Sequence, residues 1–343
     1  MATREPVTSE LAAGRPSATP IFPWQHTAWQ EIAQLRSKMP HALLLYGNQG
    51  IGKTVLAERL AQSFLCEQLQ DQQQACGVCS SCTWFLQGNH PDFRCVRPEI
   101  MEPEPADTAS KEIKIDQIRA LSDFMNISTH RRGARVILLY PAEAMNVASA
   151  NALLKSLEEP PPATLFLLVS HSLDQLLPTI LSRCRKFALG MPSQAQALAW
   201  LQEQGVREAA NWLAEQGGAP VSALQMAQLG KREDLDVWLQ HLAAPSLETA
   251  LRTADKLQKT PVPQLLAWMQ RWLYDLLALR LAGSIRYYPR YQSQLQALAV
   301  RVDLAQLLIL QKNCKDRSAI AEHPLAPKLF IEDMLLEYLA ICR

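Results

Sequence analysis

Gly47-Asn48-Gln49-Gly50-Ile51-Gly52-Lys53-Thr54 satisfies the phosphate-loop pattern G-x-x-x-x-G-K-[ST] at every fixed position. The chemistry follows from the residue types. Gly47, Gly50 and Gly52 let backbone N–H groups converge on phosphate oxygens, and the start of a following helix adds positive potential. Lys53 is expected to reach the β- and γ-phosphates of ATP, or the β-phosphate of ADP, and Thr54 to ligate Mg²⁺. A second constellation is Cys66, Cys76, Cys79 and Cys82, spaced C-x9-C-x2-C-x2-C. Four thiolates so close suit tetrahedral Zn²⁺ in a closed, structural site. A redox dithiol, or a set of buried free thiols, is the competing reading. Cys95, Cys184, Cys314 and Cys342 lack such spacing and read as ordinary thiols. His90 is a conceivable ligand, but His90-Pro91-Asp92 reads better as a turn.

The elements that must position these groups are legible around them. Ala42–Tyr46 reads as a buried strand before the loop, and residues 55–64 carry helical apolar spacing after it. Further buried strands are expected at 136–139, 165–169 and 187–189, and helices at 26–39, 113–125, 142–159 and 177–181. Strands alternating with helices predict a parallel sheet covered on both faces. A hydrolysing phosphate-loop enzyme needs acidic residues at the end of its second core strand, to hold Mg²⁺ and activate water. Tyr140-Pro141 stands there, and Glu143 reads as too far along to substitute without rearrangement.

A chain of 343 residues predicts two or three domains. A formal charge of +1 gives no global basic field, so any DNA contact is local or shared with partners. No run of eighteen apolar residues occurs and no apolar signal core leads the chain, which predicts no membrane span and a cytoplasmic location. Residues 1–20, rich in Ala, Thr, Ser, Pro and Glu, read as a disordered extension. From Met191-Pro192-Ser193 onward the pattern is helical, with short helices at 194–204, 207–216 and 221–228 and longer ones to the end. Leu265, Trp268, Met269, Trp272, Leu276 and Leu279 form one broad apolar stripe, either bundle core or in part a face for a partner subunit.

The phosphate loop, the cysteine insert, the block from Ala150 to Pro161 (Ala-Asn-Ala-Leu-Leu-Lys-Ser-Leu-Glu-Glu-Pro-Pro) and Leu181-Ser182-Arg183-Cys184 occur in an order that resembles the AAA+ clamp-loader subunits of bacterial DNA polymerase III. His323-Pro324-Leu325-Ala326-Pro327-Lys328-Leu329 adds to the likeness. The resemblance covers the chain from about Phe22 onward. It implies an α/β AAA+ core over 21–190 with the zinc module at 66–82 inserted in it, a three-helix lid over 191–232 and an all-α collar over 233–343. It also implies a hetero-pentameric ring with motor subunits and a delta-type subunit, which opens the sliding clamp and places it on primed DNA. In that ring Arg183 is implied to be an arginine finger pointing into a neighbour's ATP site. The competing reading is an arginine in a surface ion pair. Motor subunits also carry an arginine at the start of a lid helix, where this chain has Val221. With Tyr140-Pro141, that implies a stationary subunit with no turnover of its own. An active ATPase subunit, and a phosphate-loop transferase outside replication, are the alternatives.

Overall fold

Three apolar strands and two edge strands that are more polar organise the first half of the structure, a computed structural model that describes residues 19–102, 105, 106, 108–127, 134–230, 232–321 and 326–342. Residues 1–18 of the expected extension and 323–325 of the C-terminal motif lie outside them. The chain divides into two units, Met1–Gln196 and Ala197–Arg343.

In the first unit, strands β1 (Ala42–Tyr46), β2 (Phe93–Val96), β3 (Arg135–Leu139), β4 (Thr164–Ser170) and β5 (Arg185–Ala188) form one parallel sheet in the order β2-β3-β4-β1-β5. Successive side chains of a strand face opposite ways, so a continuous apolar run serves two faces. Leu43 and Leu45 pack with Trp29, Ile32, Leu56 and Leu60 on one side. Leu44 packs on the other with Ile118, Leu121, Leu153 and Leu157. Helices α1 (His26–Gln34) and α2 (Lys53–Leu65) supply the first layer; α4 (Ile115–Asn126) and α5 (Val147–Glu158) supply the second. The short helix α3 (Ser80–Leu86) belongs to the cysteine insert, and α6 (Pro178–Leu181) leads to β5. The helix expected over 142–159 starts only at Val147. The Asn146 side chain accepts the Ser149 N–H at 2.9 Å, an N-cap that fixes the start. A 3₁₀ turn, Ala142–Ala144, fills the gap after β3.

The second unit holds all but the first three residues of α7 (Gln194–Glu203), together with α8 (Ala209–Glu215), α9 (Pro220–Leu229), α10 (Glu233–Ala243), α11 (Leu247–Leu257), α12 (Val262–Ala282), α13 (Gln292–Arg301), α14 (Leu304–Arg317) and α15 (Pro327–Ile341). The α12 stripe is core: Leu265, Met269, Trp272 and Leu276 are fully buried. Two polar tips inside that core find partners. The Trp272 indole N–H donates to the Tyr338 hydroxyl at 2.9 Å, which donates to the Leu242 carbonyl at 2.8 Å. Arg271 donates to the Glu215 carbonyl at 2.6 Å, tying α12 to α8.

Candidate nucleotide site, cysteine centre and exposed arginine

β1 feeds the phosphate loop and α2 leaves it, the context the motif requires. Two glycines are dictated by space as well as by backbone angle. A Cβ on Gly47 would lie 2.3 Å from the Leu189 carbonyl oxygen, and one on Gly52 would lie 2.2 Å from the Phe22 ring. At φ +80° Gly52 also occupies the left-handed region. The carbonyls on the loop's far side are held from the N-terminal segment. Trp24 Nε1 donates to Ile51 O at 2.9 Å, and Gln25 Nε2 donates to Ile51 O at 3.0 Å and Gly52 O at 2.8 Å. Sequence reasoning began ordered structure at Phe22 but missed this support, because its partners lie 26 and 27 residues away. Lys53 is 2% exposed, and its ammonium donates to the Gly47 and Asn48 carbonyls at 2.7 and 2.6 Å. Burial pulls its pKa down to about 8, against the opposing charge of Glu143.

Tyr140 ends up 5% exposed, with its hydroxyl accepting from Arg97 at 3.3 Å; Arg97 also grips Glu102. It offers no metal ligand. Glu143, in contrast, is not remote. The turn after β3 brings it back so that Oε1 accepts the His171 N–H at 2.8 Å. His171 follows Ser170, which pairs with Tyr46 at the mouth of the loop. Separation along the chain was a poor guide to separation in space. Val221 is buried within α9 and supplies no charge.

The four cysteines converge. All four sulfurs lie within 4.8 Å of one another, with Cys66–Cys79 and Cys76–Cys82 at 4.0 Å. A tetrahedral Zn²⁺ with bonds near 2.3 Å sets its sulfurs ~3.8 Å apart, so the set fits. Cys66 terminates α2 and Cys79 caps α3, so both ends of the cluster rest on helices. Backbone N–H groups of Cys76, Cys79 and Cys82 donate to Cys66, Cys76 and Cys79 sulfurs at 3.3, 3.3 and 3.4 Å, as thiolates require. His90 is no ligand. Its Nδ1 accepts the Asp92 N–H, so Nε2 faces the Ser81 hydroxyl at 2.8 Å, and Ser81 donates to Leu65 O. That relay ties α3 to the end of α2. Cys184, Cys314 and Cys342 are buried free thiols and Cys95 an exposed one.

Arg183 lies between α6 and β5. Its side chain is 33% exposed, and it pairs with Glu158 Oε1 at 2.5 Å while donating to Thr179 O and Ser182 Oγ at 2.9 and 3.2 Å. The phosphate loop and the arginine are therefore separate features of the first unit, and within the chain Arg183 makes the surface ion pair.

The model of the family described as "DNA polymerase III, delta subunit" matches residues 24–193. DNA polymerase III subunit delta′ of Pseudomonas aeruginosa is 39% identical over 76% of this chain and 78% of its own length. The protein of that name from Yersinia pestis is 32% identical over 75% and 76%, and that from Escherichia coli 30% over 75% and 76%. With the loop, the cysteine cluster and the sheet in place beneath those identities, the chain belongs to the DNA polymerase III subunit delta′ family.

Proposed function

We propose that this chain is the clamp-loader subunit that hydrolyses no ATP itself and lends Arg183 to the ATP site of a neighbouring motor subunit. The observation that carries the reading is the setting of Arg183. It sits at the junction of a helix and an edge strand, a third exposed, and is tethered by two hydrogen bonds to its own turn and by one partly exposed ion pair. Such pairs contribute about 0–1 kcal/mol, so a γ-phosphate in trans can take the guanidinium over. An arginine so placed can accelerate phosphoryl transfer by about three to five orders of magnitude. The chain's own loop lacks a carboxylate at Tyr140-Pro141, consistent with ATP or ADP held without turnover. On this reading Zn²⁺ on Cys66, Cys76, Cys79 and Cys82 is structural, since all four positions are filled by protein. Residues 191–232 serve as lid and 233–343 as collar in a cytoplasmic hetero-pentameric ring with motor and delta-type subunits. The ring acts on the sliding clamp and primed DNA. Among the described residues no single helix is long and apolar enough to cross a membrane.

The test is Arg183→Ala in the assembled complex. The variant should fold and join the ring, with stability changed by less than about 1 kcal/mol. ATP turnover and clamp loading by the complex should fall, in part only, because sites with other fingers are spared. Arg183→Lys should not restore full rate, since an ammonium cannot reproduce the planar fork. Turnover and loading at the parent rate would leave Arg183 as an ion pair and nothing more.

A further inference from the structure

The carboxyl edge of the sheet carries more chemistry than the phosphate-loop motif. Three chain crossings meet there: the loop after β1, the turn after β3 and the residue after β4. In open parallel sheets that edge is where ligands settle. Glu143 arrives on the turn after β3, and the His171 N–H fixes one of its oxygens at 2.8 Å. The other oxygen, Oε2, is buried and has no hydrogen-bond partner among the described residues. His171 Nδ1 is in the same condition. Two buried polar atoms thus lack partners on residues already joined by a hydrogen bond, and the Glu143 carboxylate is close enough to the phosphate-loop Lys53 to act on its charge.

We infer that Glu143 is the metal-side carboxylate of this site, accepting through Oε2 from the water shell of a Mg²⁺ that arrives with the nucleotide. Mg²⁺ takes oxygen donors and keeps several of its waters, so a carboxylate one water away is sufficient to hold it. Lys53 neutralises phosphate, Thr54 offers its hydroxyl to the metal, and Glu143 supplies the negative charge that Tyr140 and Pro141 cannot. Glu143 does this from a different position along the strand-turn than an acid directly ending β3. One of its oxygens is already committed to His171, which suits holding a metal more than activating an attacking water. The assignment rests on the reading that the loop holds nucleotide, and goes beyond it by naming what makes that binding metal-dependent.

The experiment measures ADP affinity of the full chain, cysteine centre intact, with and without millimolar Mg²⁺. The quantity read is the ratio of the two affinities. In the parent, Mg²⁺ should tighten binding. In Glu143→Gln, which keeps an oxygen for the His171 N–H and the same shape, that ratio should fall by about tenfold, the size of effect seen when an outer-shell partner of a metal is lost. An unchanged ratio in Glu143→Gln overturns the assignment and leaves the nucleotide reading standing. Lys53→Ala should abolish ADP binding in both conditions. If the parent binds no ADP at all, the nucleotide reading falls first and this inference with it.

Discussion

Two carboxylates, one in each unit, show how differently a buried acid can be used. Asp275, in the middle of α12, is fully buried and accepts from the backbone N–H groups of Arg286, Tyr287 and Tyr288 at 2.8–3.1 Å, with both oxygens engaged. Burial raises its pKa while those three N–H groups hold it down. Glu143 accepts one N–H on one oxygen. The first is complete within the chain and shapes the 283–289 turn; the second is half complete beside the phosphate-loop motif. An orphaned atom alone does not separate the two cases. His241 Nε2, within the helical unit, also lacks a partner among the described residues. What separates them is the neighbourhood: His241 has Thr249 on its other nitrogen and no anion loop in its surroundings. An unsatisfied buried polar atom costs free energy in either setting.

The contrast can be broken by truncating both acids. Asp275→Ala orphans three N–H groups and should cost about 3 kcal/mol or more in denaturant unfolding, at about 1 kcal/mol or more per group. Glu143→Ala orphans one and should cost about 1 kcal/mol. Equal losses would mean that both acids are structural. A smaller effect sharpens the comparison at His241, whose pKa burial pulls down to about 4. The folded state then binds fewer protons than the unfolded state between about pH 4 and 6.5. Stability is therefore lost as pH falls through that window, by about 2 kcal/mol at pH 5. His241→Gln should flatten that part of the pH–stability curve; an unchanged slope would place the titration elsewhere. The last effect, on binding and not on stability, belongs to Lys53. With its pKa near 8, the free loop loses its positive charge above that pH, whereas bound phosphate needs it. ADP affinity should hold below about pH 8 and fall by up to about tenfold per pH unit above it. Titration calorimetry over pH 7–9.5 reads this directly, and a flat profile would show that Lys53 stays charged.

What could be read in the chain was what is local in it. The phosphate loop and the four cysteines are contiguous patterns, and their geometry agrees with them. Strands β1, β3 and β4 announced themselves because central parallel strands are apolar on both faces. β2 was missed. It is an edge strand in which Arg94 and Cys95 are exposed and only Phe93 and Val96 are buried. The last strand begins at Arg185, two residues before its expected start, because pairing with Leu43 sets it, not apolarity. In the sequence Glu143 reads as too far along from the end of β3 to serve, and the expected helix from Ala142 would have held it there. The cap at Asn146 cuts those residues loose, and the strand order then carries the carboxylate to the loop. Neither step shows in a linear pattern. The Glu158 partner of Arg183 was hidden for the same reason, since α5 and α6 are adjacent only once β4 is in place between them in sequence.

The strand order has a consequence for biosynthesis. β1 emerges first, yet both of its neighbours, β4 and β5, are made more than a hundred residues later. Until Thr164–Ser170 has left the ribosome, the strand that leads to Gly47 has two open edges and no partner, and one edge stays open until Arg185–Ala188 follows. Such non-local pairing is slow to form and leaves sticky segments exposed while it waits. The cysteine insert, by contrast, is closed by residues only sixteen apart, from Cys66 to Cys82. During synthesis the cysteine module can close while the strand that leads to the phosphate loop still lacks its neighbours, giving the nascent chain an early folded anchor at the end of α2.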